Sequence, residues 1–192
     1  MRLIAETSDR HSPPGVVGDA GPSDCSLVLA AQAGDGAAWT KLYERYAPVV
    51  HGVLLSRVGR TDADDLTQDV FVRAMRRLGD VRDGAAVGGW LVAIARNAAA
   101  SLVRRPRSEA LGERDCAAPE SRANAEGSEE AERVLGVIRG LPEAYRETMV
   151  LRLVEGLTGP EIAARMGMTH GSVRVNLHRG MQLLKERCGG ET

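Results

Sequence analysis

The chain has 192 residues, enough for one domain or two small ones. Only 3% of them are aromatic against 43% hydrophobic, so Ala, Leu, Val and Met must fill the core, which suits helices better than sheets. A net charge of −1 argues at first sight against a nucleic-acid partner, and no apolar run approaching about 18–20 residues is evident, which excludes direct membrane insertion.

Residues 1–25 are dominated by Pro, Gly, Ser and Asp and lack the apolar stretch of a signal peptide. They read as a disordered extension on a cytoplasmic protein. The first block, 26–105, reads as four helices. Leu27–Ala33 makes a short one ending near Gly34. A second begins near Asp35 and carries Trp39, Leu42, Tyr43 and Tyr46, with Pro48 expected to bend it or mark its boundary. Thr61 is placed to cap a third, whose Asp62, Asp64 and Asp65 favour the N-terminal dipole and whose Arg76 and Arg77 favour the C-terminal end. Leu66, Val70, Ala74 and Leu78 recur on its core side. After a Gly-rich loop, residues 88–105 make a fourth helix with a basic end, packed through Trp90, Leu91, Ile94 and Leu102.

Residues 106–130 hold two Pro, many charges and few large apolar side chains, the composition of a flexible acidic linker. The second block, 131–188, starts from a helix near 128–139, and Pro142 is placed to begin another. Thr158 and Glu161 then form a capping-box signature, with Ile162, Ala163 and Met166 on one stripe and Gly167 at the turn. Thr169 caps a last helix whose Val173, Leu177, Met181 and Leu184 share one face. Its other faces present His170, Ser172, Arg174, Asn176, His178 and Arg179, the short polar and basic side chains that a helix entering a major groove uses. The segment therefore reads as a DNA-binding helix-turn-helix or, alternatively, as an ordinary helical hairpin with a solvated basic face.

The charge distribution favours nucleic acid. Residues 27–105 carry eleven Arg/Lys against eight Asp/Glu and 132–187 carry nine against six, whereas 106–131 carries three against seven. Arg96, Arg104, Arg105 and Arg107 cluster with no acid from 84 to 108. Cys25, Cys116 and Cys188 are scattered, with no spacing for a metal site or disulfide framework. No Ser/His/Asp set or phosphate-binding loop suggests an enzyme, and no cofactor is expected.

Five short motifs succeed one another in a telling order. They are Asp62-Ala63-Asp64-Asp65-Leu66-Thr67-Gln68-Asp69-Val70-Phe71; Gly89-Trp90-Leu91 with Ile94-Ala95-Arg96-Asn97; Leu141-Pro142 with Arg146-Glu147; Glu155-Gly156-Leu157 with Glu161-Ile162-Ala163; and Gly171-Ser172-Val173-Arg174. Over about 27–105 and 131–187 the chain resembles the extracytoplasmic-function sigma factors of bacterial RNA polymerase. The resemblance implies an all-α fold, with a four-helix sigma domain 2 and a helix-turn-helix sigma domain 4 joined by a flexible linker. It implies core RNA polymerase as partner, through the β′ clamp helices and the β flap. Asp62, Asp65, Leu66, Gln68, Asp69, Phe71 and Arg73 would dock on the clamp helices.

At the promoter −10 element it implies Trp90, Arg96, Asn97, Ser101, Arg104 and Arg105, with the loop 80–88 holding an extruded base. For Trp90 a role as core anchor stands beside that reading. At the −35 element it implies Thr169, His170, Gly171, Ser172, Arg174, His178, Arg179 and Lys185. An anti-sigma factor is a further implied partner. Ser101 stands where the family commonly has Asp, Gly159-Pro160 where it has an aromatic-acidic pair, and Asn176 and Met181 where Arg is usual. These departures predict modest intrinsic DNA affinity and dependence on polymerase. The alternative function is a dimeric helix-turn-helix repressor or activator that works without polymerase.

Overall fold

Helix α2 (Gly36–Leu55) is the axis around which the other elements are laid. The computed structural model describes residues 21–104 and 125–188. The N-terminal bundle consists of α1 (Asp24–Gln32), α2, α3 (Arg60–Arg77) and α4 (Val87–Arg104), with two short 3-10 turns, Leu78–Asp80 and Gly84–Ala86, between the last two. The C-terminal bundle consists of α5 (Ala125–Arg139), α6 (Glu143–Leu153), α7 (Gly159–Met166) and α8 (His170–Cys188). No strand occurs among the described residues.

Leu42, Tyr46, Val49, Val50, Val53 and Leu54 are all buried along α2, so its apolar surface is wrapped on more than one side. That explains why the helix continues through Pro48, where the sequence predicts a bend or boundary. A proline inside a helix costs about 3 kcal/mol, and the valines and leucines beyond it bury enough surface to outweigh that. The extension also ends earlier than composition suggests. Ser23 Oγ accepts from Ser26 N at 3.2 Å and caps α1. Asp24 accepts from Arg45 Nη1 at 2.5 Å and from the Tyr46 hydroxyl at 2.6 Å, tying α1 to α2. Burial and the Asp24 carboxylate both push the Tyr46 phenol well above its ordinary pKa. Cys25 therefore lies in an ordered helix, though exposed. Residues 1–20 of the expected extension, most of the expected linker, Arg105 and Cys116 lie outside the described residues.

Two boundaries differ from expectation. Helix α3 starts at Arg60 with Gly59 at its cap and no side-chain cap bond, so Thr61 sits inside the first turn. Helix α5 starts at Ala125, within the stretch whose composition suggests a linker. Contrary to the expectation from sequence, segment Gly84–Arg104 is, by length and composition, long and apolar enough to cross a membrane. Its apolar character comes from Val, Leu and Ile together with a run of Ala, and Leu91, Val92, Ala95, Ala98 and Ala99 are buried in the protein core.

The helix-turn-helix forms by the local chemistry its sequence announces. Thr158 Oγ1 accepts from Glu161 N at 3.4 Å, and Glu161 Oε2 accepts from Thr158 N at 2.8 Å, closing the capping box. The Thr158 hydroxyl and amide hold the Glu161 carboxyl below the usual carboxylate range. Gly167 takes a left-handed φ of 65°, and Met168 N then donates to Ala163 O at 2.9 Å. Thr169 Oγ1 accepts from Ser172 N at 3.1 Å and starts α8.

The two bundles meet along a seam in which α6 packs on α2 and α7 packs on α2 and α4. Gly52, in the middle of α2, permits the approach: a Cβ there would lie 2.7 Å from Leu151 Cδ2 and 3.0 Å from Glu155 Cγ. Charges across the seam are sorted by sign. Arg57 pairs with Glu143 and Glu147, Arg96 with Glu147, Arg60 with Glu132, and His51 with Glu155. In these pairs every base comes from the N-terminal bundle and every acid from the C-terminal one. Arg139 Nε adds a hydrogen bond to Leu55 O at 3.0 Å.

Two measurements test this packing. Phe71, 5% exposed and edge-on to Trp39 and Tyr43, is the aromatic centre of the N-terminal bundle. Phe71→Ala is expected to lower unfolding free energy in urea by about 3–5 kcal/mol. His51 Nδ1 lies 2.6 Å from Glu155 Oε1, and its Nε2 lies 3.1 Å from Asp64 Oδ1. The hydrogen bond to Glu155 is the main cause that raises the His51 pKa, with burial opposing it. A raised folded pKa stabilises fully below the unfolded value of about 6.5 and is lost as pH rises through the folded value. The urea midpoint should therefore decline as pH rises above about 6.5, and this decline should shrink in His51→Gln.

Candidate nucleic-acid and polymerase-facing surfaces

The polar side of α8 is free of core duty. Val173 and Leu184 are buried and Leu177 and Met181 half-buried on one side, leaving Thr169, His170, Gly171, Ser172, Arg174, His178, Arg179 and Lys185 all exposed. The residues expected at the −35 element are thus brought onto one accessible helix. At its start, the Thr169 hydroxyl serves the helix cap and lies 2.8 Å from Ser172 Oγ, so these two side chains are held as a pair. Arg174, also exposed, stands about half a turn further along.

Helix α4 presents a more divided picture. Asn97 and Arg104 are exposed, and Ser101 Oγ donates to Asn97 O at 2.8 Å. Trp90 is half-buried and packs against the core, so its ring is not an open stacking platform. Arg96 is also exposed, with 46% of its side chain accessible, but one edge of its guanidinium is engaged across the seam. Its Nε donates to Glu147 Oε1 at 3.0 Å and its Nη2 donates to Glu147 Oε2 at 2.6 Å, a two-pronged grip on a carboxylate that is itself 4% exposed. The hydrogen bonds to Glu147 raise the Arg96 pKa, so the guanidinium stays charged. The preceding loop is firmly placed: Gln32 Nε2 donates to Leu78 O and Val81 O, both at 2.9 Å, while Arg82 and Asp83 face outward.

On α3 the motif residues divide by face. Asp65, Gln68, Asp69 and Arg73 are exposed, and Asp62 and Leu66 are intermediate. Asp69 and Arg73 form an i,i+4 pair at 3.8 Å. Phe71 does not belong with them. It points inward to Trp39 and Tyr43, with ring centroids 6.2 and 4.7 Å away. Its place inside the motif suggests the docking surface, but helical geometry turns it about 100° per residue from its neighbours, into the core. The residues that sequence reasoning misses are those of the seam: Arg57, Glu143 and Glu147. Glu147 lies within a motif, yet a lone Glu between Arg146 and Thr148 gives no sign of burial.

Comparison with known proteins agrees with this layout. The family model described as Sigma-70 region 2 matches residues 42–109, and that described as Sigma-70, region 4 matches residues 131–184. The chain is 36% identical over 162 residues to the RNA polymerase sigma factor CarQ of Myxococcus xanthus, covering 81% of this chain and 92% of CarQ. It is 32% identical to the ECF RNA polymerase sigma-E factor of Haemophilus influenzae, covering 86% and 95% of the two chains. It is also 33% identical to the ECF RNA polymerase sigma factor BldN of Streptomyces coelicolor, of which it spans 63%. Among solved structures, CnrH in complex with the cytosolic domain of CnrY matches with a TM-score of 0.58 at 25% identity, covering 88% of this chain and 99% of that one. The sigma factor RpoE of Bartonella quintana, in complex with the anti-sigma factor NepR, shares the fold with a TM-score of 0.50 at 21% identity. Two region matches in the right order, with relatives above 30% identity matched over nearly their full length, identify the chain as a member of the extracytoplasmic-function sigma factors of bacterial RNA polymerase.

Proposed function

We propose that the chain is a promoter-specificity subunit in which residues 26–105 bind core polymerase and open the −10 element, and residues 131–188 read the −35 element. The family is one of non-catalytic initiation factors, and the work is recognition rather than bond chemistry. The observation that carries this reading is that one chain has both an exposed polar face on α8 and an acidic, exposed face on α3. A free-standing repressor has use for the first face and none for the second.

In this reading Thr169, His170, Gly171, Ser172 and Arg174 contact base edges or nearby backbone, and His178, Arg179 and Lys185 lie towards phosphates. Asn97, Ser101 and Arg104 face the −10 strand, together with Arg96 and with Arg105, the residue after Arg104 in sequence. Trp90 supports that helix from the core side. Asp62, Asp65, Leu66, Gln68, Asp69 and Arg73 meet the clamp helices, and the C-terminal bundle meets the β flap. Phe71 supports the docking helix from beneath. The residues between the bundles act as a tether, which turns the second promoter contact into an intramolecular event. CnrH and RpoE are each solved with a bound protein, CnrY or the anti-sigma factor NepR, and an anti-sigma factor is the corresponding partner here. The site of action is the cytoplasm, where polymerase and DNA are.

Transcript-start mapping after induced expression supplies the promoters, and run-off transcription with core enzyme then tests the reading. Arg174→Ala is expected to reduce the run-off product about 5- to 150-fold, the equivalent of one base contact. Asp69→Arg should instead weaken co-elution with core enzyme. If no core-dependent transcript forms, and a stable dimer leaves a palindromic footprint alone, the protein is a repressor or activator.

A further inference from the structure

Helix α1 touches the loop that joins α3 to α4 at both of its 3-10 turns. At the last residue of α1, the amide N–H groups of Gln32 are spent on Leu78 O and Val81 O, each at 2.9 Å. Val81 N also donates to Leu78 O at 3.1 Å, so one side chain closes the first turn of the loop from outside. The first turn of α1 lies against Gly84. A Cβ there would come 2.6 Å from Cys25 Cα and 3.4 Å from Asp24 O, backbone atoms that have no rotamer by which to step aside.

Helix α1 is itself fixed. Leu27 and Val28 are buried in the N-terminal bundle, and Asp24 is bonded to Arg45 and to the Tyr46 hydroxyl, both on α2. Between the two holds, Arg82 and Asp83 stand exposed. Asp83 spends one carboxylate oxygen on Ala85 N at 3.0 Å, which leaves the other as an acceptor next in sequence to the donors of the Arg82 guanidinium. Donors and acceptors of this kind read the edge of a base that has left its stack. Discrimination requires such groups to be held within about 0.5 Å of their working positions, which a surface loop secures only through the residues that support it.

We propose that α1 is the frame of a base-reading loop, with Gln32 as a positioning residue that sharpens the base preference of Arg82 and Asp83 without touching DNA itself. The proposal rests on the reading in which residues 26–105 open the −10 element and the loop receives the extruded base. Folding completes the ordering of the loop, so DNA binding does not bear the entropy of fixing it. Gln32→Leu keeps the bulk of the side chain and removes both donors. Gly84→Ala disturbs the same loop from its other end.

The test is a base-preference measurement on holoenzyme assembled from core polymerase and the full chain. The probes are promoter fragments unpaired across the −10 element, with each non-template position carrying each of the four bases in turn. At the position that the loop reads, the wild-type preference should be about 5- to 150-fold, and Arg82→Ala should reduce it. Gln32→Leu and Gly84→Ala should reduce the preference at that same position by about fivefold or more, while the other positions keep theirs. Retention of every preference in both variants overturns the proposal. So does an equal loss at all positions, which is what a loosened bundle would give, or a loss at a position that Arg82→Ala leaves untouched. Urea midpoints measured alongside show whether each variant is folded, and if Gly84→Ala is not, Gln32→Leu, at an exposed residue, carries the comparison. Failure of the sigma-factor reading would show earlier, because the wild-type chain would then form no core-dependent complex on any fragment.

Discussion

A carboxylate almost removed from water must be answered by cations, and Glu147 is answered by two, Arg57 and Arg96. Both cations belong to the other bundle. This one requirement fixes how α6 lies against α2 and α4, and it fixes which side of the helix-turn-helix turns outward. Removing either partner leaves a charge stranded at the seam, so the arrangement is specific in a way that apolar packing alone would not make it. Gly52 supplies the room and Glu147 supplies the direction.

The sorting of charge explains how a chain of net charge −1 handles DNA. Four acids of the C-terminal bundle, Glu132, Glu143, Glu147 and Glu155, are paired on its inner side with Arg57, Arg60, Arg96 and His51. Its outer side, on α8, keeps Arg174, Arg179 and Lys185 with His170 and His178. Net charge sums over surfaces that never face the same partner. What matters to a phosphate backbone is the local field, and internal pairing is one way to leave that field positive.

Much of the fold is legible in the sequence because its rules are local. The capping box of Thr158 and Glu161, the left-handed turn at Gly167 and the cap at Thr169 are each decided within four residues, and all three form as expected. The buried stripes of α3 and α8 are legible from helical periodicity. The features that escape are decided at long range. Pro48 sits in an unbroken helix because residues from several elements bury the turns beyond it. Phe71 is a motif residue turned inward by Trp39 and Tyr43, about 30 positions earlier. The seam joins residues 51–60 and 96 to residues 132–155, and no pattern within either segment announces the other.

Arg139 reaches across that seam to the carbonyl of Leu55, the last residue of α2. The C-terminal carbonyls of a helix lack intrahelical partners, and here one of them is completed by the neighbouring bundle. The final turn of α2 is therefore a shared structure. Without the neighbouring bundle, water would stand in for the guanidinium at Leu55 and the helix end would lose its outside anchor. Closure is thus recorded in the backbone of the central helix itself: protection of that last turn against solvent exchange belongs to the assembled chain, and the isolated N-terminal bundle is a slightly shorter-axled object than the one seen here.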